Sequence, residues 1–144
     1  MATERRGQTT WKGDLMSGSG TIAAAPSGAF GPLDVSWQAR AEEPGGKTSP
    51  EELIAAAHSS CFAMALSLGL AKGGTPPEEL RTSATVTFVP GSGITKVALT
   101  VEGRVPGIDE EAFRAAAEDA KVNCPVSKAL AAVREITLDA RLAG

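Results

Sequence analysis

The stretch Ser49-Pro50-Glu51-Glu52-Leu53-Ile54-Ala55-Ala56-Ala57-His58-Ser59-Ser60-Cys61-Phe62-Ala63-Met64-Ala65-Leu66-Ser67-Leu68-Gly69-Leu70 decides the fold. It opens as a helix should, with a serine hydroxyl at the N-cap and a proline at the first helical position, where its missing N–H is no loss. The spacing of Ser49 and Glu52 predicts a capping box in which Glu52 reaches back to the Ser49 main chain. Glu51 has no such duty, although the helix dipole alone accounts for an acid there. Residues 53–70 then carry no formal charge over eighteen positions, the length of a membrane span. His58, three serines and an alanine-rich apolar content would make it a poor one, so a buried core helix is the expectation. A helix apolar around most of its circumference needs cover on most sides, which in so short a chain means sheets and a second subunit.

Outward from this helix the chain reads as strands. Residues 9–15 and 19–25 predict a short hairpin, and residues 33–41 an extended run. Beyond the helix, residues 82–89 and 94–105 alternate on either side of Pro90-Gly91-Ser92-Gly93, a second hairpin. An acid-capped amphipathic helix over 109–121 and a closing strand over 136–142 complete an α+β order. The 144 residues, 1–144, are the size of a single domain with its own core. A net charge of -3 argues against nucleic acid as a partner, because a phosphate-tracking surface needs a basic excess.

The chain has two cysteines. Residues 1–13 include Glu4, Arg5, Arg6 and Lys12 and no apolar signal core, so a cytoplasmic protein is expected, where a lasting disulfide is disfavoured and a transient catalytic one is allowed. The plainer alternative is that both are small buried hydrophobes. In Asn123-Cys124-Pro125-Val126-Ser127-Lys128 the proline makes Cys124 the N-cap of a short helix ending near Val133, where the dipole favours a thiolate. Cys61 lies about three turns into its own helix, out of reach of that helix's N-terminus, so its activation would need a cation from elsewhere. His58 is either a base for Cys61 or a core histidine donating to a nearby acceptor, and the second is the preferred reading. One histidine and two cysteines do not make a zinc site, so no metal is expected.

The segments 48–67 and 123–128 resemble the osmotically inducible protein C family (OsmC), which includes the organic hydroperoxide reductases. Gly18-Ser19-Gly20-Thr21 and Ile94-Thr95-Lys96-Val97 carry weaker likeness, and His58 ahead of Ser59-Ser60-Cys61 looks like the OsmC branch. The resemblance implies an intertwined homodimer with curved antiparallel sheets wrapped around buried central helices. It also implies that Cys61 attacks a peroxide, that Cys124 resolves it, and that Arg40, paired with Glu51, assists. The departures are Ser49 for the usual asparagine, Ala41 for the usual aromatic, and a longer loop over 42–47, which bears on the register of Arg40.

The chemistry asks for these groups. A thiolate must push electrons into the O–O bond, a guanidinium favours that charge, and a carboxylate orients the guanidinium. The expected reaction is reduction of an organic hydroperoxide to an alcohol through a Cys61 sulfenic acid and a Cys61–Cys124 disulfide. No bound cofactor is expected. An external dithiol, which the resemblance suggests is a dihydrolipoyl group or a lipoylated protein, reduces the disulfide. The competing function class is a noncatalytic thiol redox sensor or small-molecule binder on the same fold. Glu51 and Cys61 stand ten positions apart, about 15 Å along a continuous helix and roughly 80° in azimuth. That separation leads to the expectation of active sites shared between two chains, against a kink at Ser59-Ser60 or a long reach by Arg40.

Overall fold

The computed structural model describes residues 1–143, in two compact units, Met1–Leu53 and the residues from Ile54 on. In the first unit, strands β1 (Thr9–Lys12), β2 (Ser19–Ile22) and β3 (Leu33–Val35) form an antiparallel sheet in that order. Asp14 closes the β1–β2 turn, accepting from the Ser17 N–H at 2.7 Å and its hydroxyl at 2.6 Å. Gly20 must be small: a Cβ there would lie 2.7 Å from Trp11 and 2.9 Å from Val35.

The extended run expected over 33–41 stops at Val35. Ser36 turns the chain by accepting the Ala39 N–H at 3.2 Å, and helix α1 (Trp37–Ala41) follows. A local side-chain-to-backbone bond thus overrides an alternation that reads as strand. Arg40 consequently projects from a helical turn.

Helix α2 (Pro50–Lys72) begins in the first unit and runs unbroken into the second. The Ser49 hydroxyl accepts the Glu52 N–H at 3.1 Å, as expected of the cap. The other half of the box is different. The Glu52 carboxylate takes the Thr48 hydroxyl at 2.6 Å, a short charge-assisted bond, instead of the Ser49 main chain. The Ser59 and Ser60 hydroxyls bond back to the Ala56 and Ala57 carbonyls, and the helix continues through them without a break.

In the second unit β4 (Glu79–Val89), β5 (Gly93–Arg104) and β6 (Glu135–Leu142) form a sheet in that order. The first two are the expected antiparallel hairpin, but β6 lies parallel to β5. The reason is the connection. Helices α3 (Glu110–Asn123) and α4 (Pro125–Ala129) stand between the two strands, supplying the long crossover that a parallel pair requires. Lys121 and Arg114 of α3 donate to the Ile136 and Ala140 carbonyls, and Glu110 accepts from the Leu142 N–H, so the outer edge of β6 is covered.

The core of this unit joins Phe62, Leu66 and Leu70 of α2 to Val97, Leu99 and Val101 of β5 and to Phe113, Ala117 and Ala120 of α3. Its packing is close enough that a Cβ on Gly103 would meet Phe113 at 2.6 Å. The buried positions of α2, His58 through Leu70, recur every fourth residue and form one stripe. Within one chain, cover reaches α2 along this stripe. Ala57, Ser60, Met64 and Leu68 are exposed on α2, Met64 at 73%.

Candidate functional site

The four residues singled out in the sequence fall into two pairs. In the first unit Arg40 and Glu51 form a two-point ion pair: Arg40 Nε donates to Glu51 Oε1 at 2.9 Å and Nη2 donates to Oε2 at 2.9 Å. Glu51 is 6% exposed and sits in the first turn of α2, with the Arg40 fork against its carboxylate. The fork fixes the plane of the guanidinium while a third of the Arg40 side chain stays exposed. Arg40 also lines a cavity of about 570 Å³ whose walls include Trp11, Leu15, Ile22, Val35, Trp37 and Leu53. Among the described residues of this unit only Ala39 is a fully buried apolar side chain.

In the second unit Cys61 and Cys124 are both free, and the Cys124 thiol lies near enough to Cys61 to act on its titration. Cys124 is the N-cap of α4, as the proline predicts, and is fully buried, while Cys61 is half-buried. Burial pushes the Cys61 thiol up, the Cys124 thiol adds to that, and a main-chain bond from Val126 pulls the other way. Cys61 cannot use its own helix N-terminus, but it receives a donor from the first turn of α4, whereas Cys124 makes no side-chain capping bond there.

His58 is fully buried, and its Nε2 lies 2.7 Å from the Ser127 hydroxyl, which is the core-histidine reading and not a cysteine–histidine pair. Burial lowers its pKa below the ordinary 6.5. The unfolded chain therefore binds a proton below about pH 6.5 that the folded chain refuses, so stability is full above that pH and falls as the pH drops below it. Urea midpoints should decline between about pH 7.5 and 5.5, and His58→Gln should flatten the decline. An unchanged slope in His58→Gln would rule His58 out as its source. Ser127 escaped the sequence reading, though its place three residues past Cys124, matching His58 three before Cys61, was a visible signal. Among the described residues no cluster of three or more His, Cys, Asp or Glu is arranged to hold a metal ion.

Two neighbouring free cysteines, one half-buried and one buried, on an α+β scaffold are the equipment of a dithiol redox protein. Residues 43–139 match the OsmC family, described as OsmC-like protein. The chain is 43% identical over 145 residues to Peroxiredoxin OsmC of Escherichia coli (strain K12), covering 99% of each. It belongs to the OsmC-like family. An organic hydroperoxide resistance protein from Elizabethkingia anophelis superposes with a TM-score of 0.72 at 25% identity, over 99% of this chain and 100% of that one. An OsmC-like protein from Mycoplasma pneumoniae shares the fold with a TM-score of 0.73 at 16% identity, over the whole of both chains.

Proposed function

We propose that this chain is a cysteine-based peroxidase that reduces organic hydroperoxides to alcohols, working in the cytoplasm as a homodimer of one OsmC-like domain per chain. The observation that carries the reading is the nearness of a fully buried Cys124 thiol to a half-buried Cys61. The Cys61 thiolate attacks the peroxide, the S–O bond forms as the O–O bond breaks, and the alcohol leaves with a proton. The resulting sulfenic acid condenses with Cys124, releasing water, and an external dithiol of the dihydrolipoyl type returns both thiols by exchange. Arg40 supplies the charge that draws the Cys61 proton off and meets the developing alkoxide, and Glu51 holds it in plane.

A second copy of the chain is the cover for what one copy leaves open. Met64 and Leu68 on α2 are exposed, and the first unit has an apolar cavity with almost no closed core. By length and composition α2 could cross a membrane, but His58, which it buries, suits a protein interior better than lipid.

Steady-state assays with dihydrolipoamide, other dithiols and monothiols test the reading. Turnover of tert-butyl hydroperoxide should exceed that of hydrogen peroxide by at least about tenfold, because the cavity beside Arg40 rewards an apolar tail. No consumption of either peroxide with any thiol would leave the chain as a thiol sensor or binder.

A further inference from the structure

We propose that His58 and Ser127 are positioning residues that hold α4 in register on α2, and thereby set how fast Cys124 closes on an oxidised Cys61. The inference rests on the dithiol mechanism above. His58 precedes Cys61 by three residues on α2, and Ser127 follows Cys124 by three on α4, so each helix presents both groups on one face. The neighbours Cys61–Cys124 and His58–Ser127 thus pair the two helices in opposite directions, about 4.5 Å apart along each. One pairing alone would leave α4 free to pivot about the sulfurs. A second pairing, one turn away, removes that freedom.

The helix needs the help. At five residues α4 is far too short to hold its own shape, so its orientation comes from what it touches. The His58–Ser127 bond is well placed for this, at 2.7 Å between residues that are 0% and 7% exposed, where water does not compete. Its direction follows from the other ring nitrogen. His58 Nδ1 is buried without a partner among the described residues. A neutral imidazole with its single hydrogen on Nε2 leaves only a lone pair at Nδ1, whereas the other tautomer would bury an orphan N–H. Nε2–H therefore donates and the Ser127 oxygen accepts.

Register matters because closure competes with damage. Cys124 sulfur attacks the Cys61 sulfur of the sulfenic acid; the S–S bond forms, the S–O bond breaks, and the oxygen leaves as water with the Cys124 proton. Disulfide geometry tolerates little error in the separation of the two residues. A sulfenic acid that waits is open to a second peroxide, which carries it to sulfinic acid.

The test follows Cys61 by rapid-quench mass spectrometry after one equivalent of tert-butyl hydroperoxide, with melting temperatures measured alongside. Ser127→Ala should slow closure relative to the first oxidation by about tenfold and accumulate sulfinic acid. Ser127→Thr keeps the acceptor and His58→Gln keeps a donor, so both should stay within about threefold of the parent. In dithiothreitol redox buffers, with no peroxide present, Ser127→Ala should also shift the Cys61–Cys124 pair toward the dithiol by about tenfold. His58→Met, which removes the donor and keeps the bulk, repeats both measurements if Ser127→Ala does not fold. Equal losses in Ser127→Ala and Ser127→Thr, or closure and equilibrium unchanged in Ser127→Ala, overturn the proposal. A parent protein that consumes no peroxide overturns the peroxidase reading instead, and the dithiothreitol equilibrium still decides the role of the pair.

Discussion

Cys61→Ser should bring peroxide consumption down to the uncatalysed rate, while Cys124→Ser should consume one equivalent of hydroperoxide per chain and then stall. The asymmetry comes from position. Cys61 is half-buried, the more accessible of the two residues, whereas Cys124 is sealed at the N-cap of α4 and meets solvent nowhere. A serine at 61 removes the more accessible nucleophile of the pair, and a hydroxyl is not a substitute for a thiolate. A serine at 124 leaves the first step in place but gives the sulfenic acid no intramolecular partner. Peroxide assayed colorimetrically against time should show no burst in the first variant and a burst of one equivalent in the second. Dimedone should label Cys61 in the second. Steady turnover by Cys61→Ser together with an inert Cys124→Ser would reverse the assigned roles.

The environment of Cys61 also explains why two thiols alone are an incomplete site. Burial and the neighbouring Cys124 thiol both push the Cys61 thiol up, and one main-chain bond from Val126 only partly opposes them. A peroxidase operating near neutral pH must reverse that shift, and a guanidinium is the group for it. Arg40, forked onto Glu51, is the group we propose for that role.

What could be read in the residues, and what could not, divides along the range of the interactions. The start of α2 was legible because Ser49, Pro50 and Glu52 act within one turn, and the β4–β5 hairpin because alternation and a Pro-Gly turn are local signals. Cys124 as an N-cap was legible from the proline that follows it. The bend at Ser36 was missed because Val-Ser-Trp-Gln-Ala alternates like a strand, and one hydroxyl bond to Ala39 decided otherwise. The parallel seating of β6 depends on where a crossover of two helices returns the chain, which no pattern within residues 135–142 encodes. The His58–Ser127 bond spans 69 positions of sequence, and the Val126 contact to Cys61 is equally remote, so neither type of residue advertised its partner.

Mixing inactive Cys61→Ser subunits with inactive Glu51→Ala subunits should restore about a quarter of the parental activity per subunit after random exchange. Glu51 and Cys61 ride on one unbroken helix, ten positions apart, which places them about 15 Å apart along its axis and roughly 80° apart around it. That separation along one helix is the ground for proposing that the arginine forked onto Glu51 serves the Cys61 of a second copy. A two-fold axis running across two such helices can bring the Arg40–Glu51 pair of one copy to Cys61 of the other, twice over by symmetry. The exposed stripe with Met64 and Leu68 gives that axis an apolar surface to lie on. Glu51→Ala is a better probe here than Arg40→Met. Removing Arg40 strands a carboxylate that is 6% exposed, a cost of about 3–5 kcal/mol that would confuse misfolding with lost catalysis. Removing Glu51 leaves an arginine that is already a third exposed and can turn to solvent. In the mixed dimer with shared sites, the Cys61 of the Glu51→Ala chain meets an intact Arg40–Glu51 pair from the Cys61→Ser chain, and the other site carries both defects. If each chain served itself, every site would carry one defect and the mixture would stay inactive. Subunit exchange confirmed by native mass spectrometry, with no activity recovered, would rule out the shared site and return Arg40 to its own chain's Cys61.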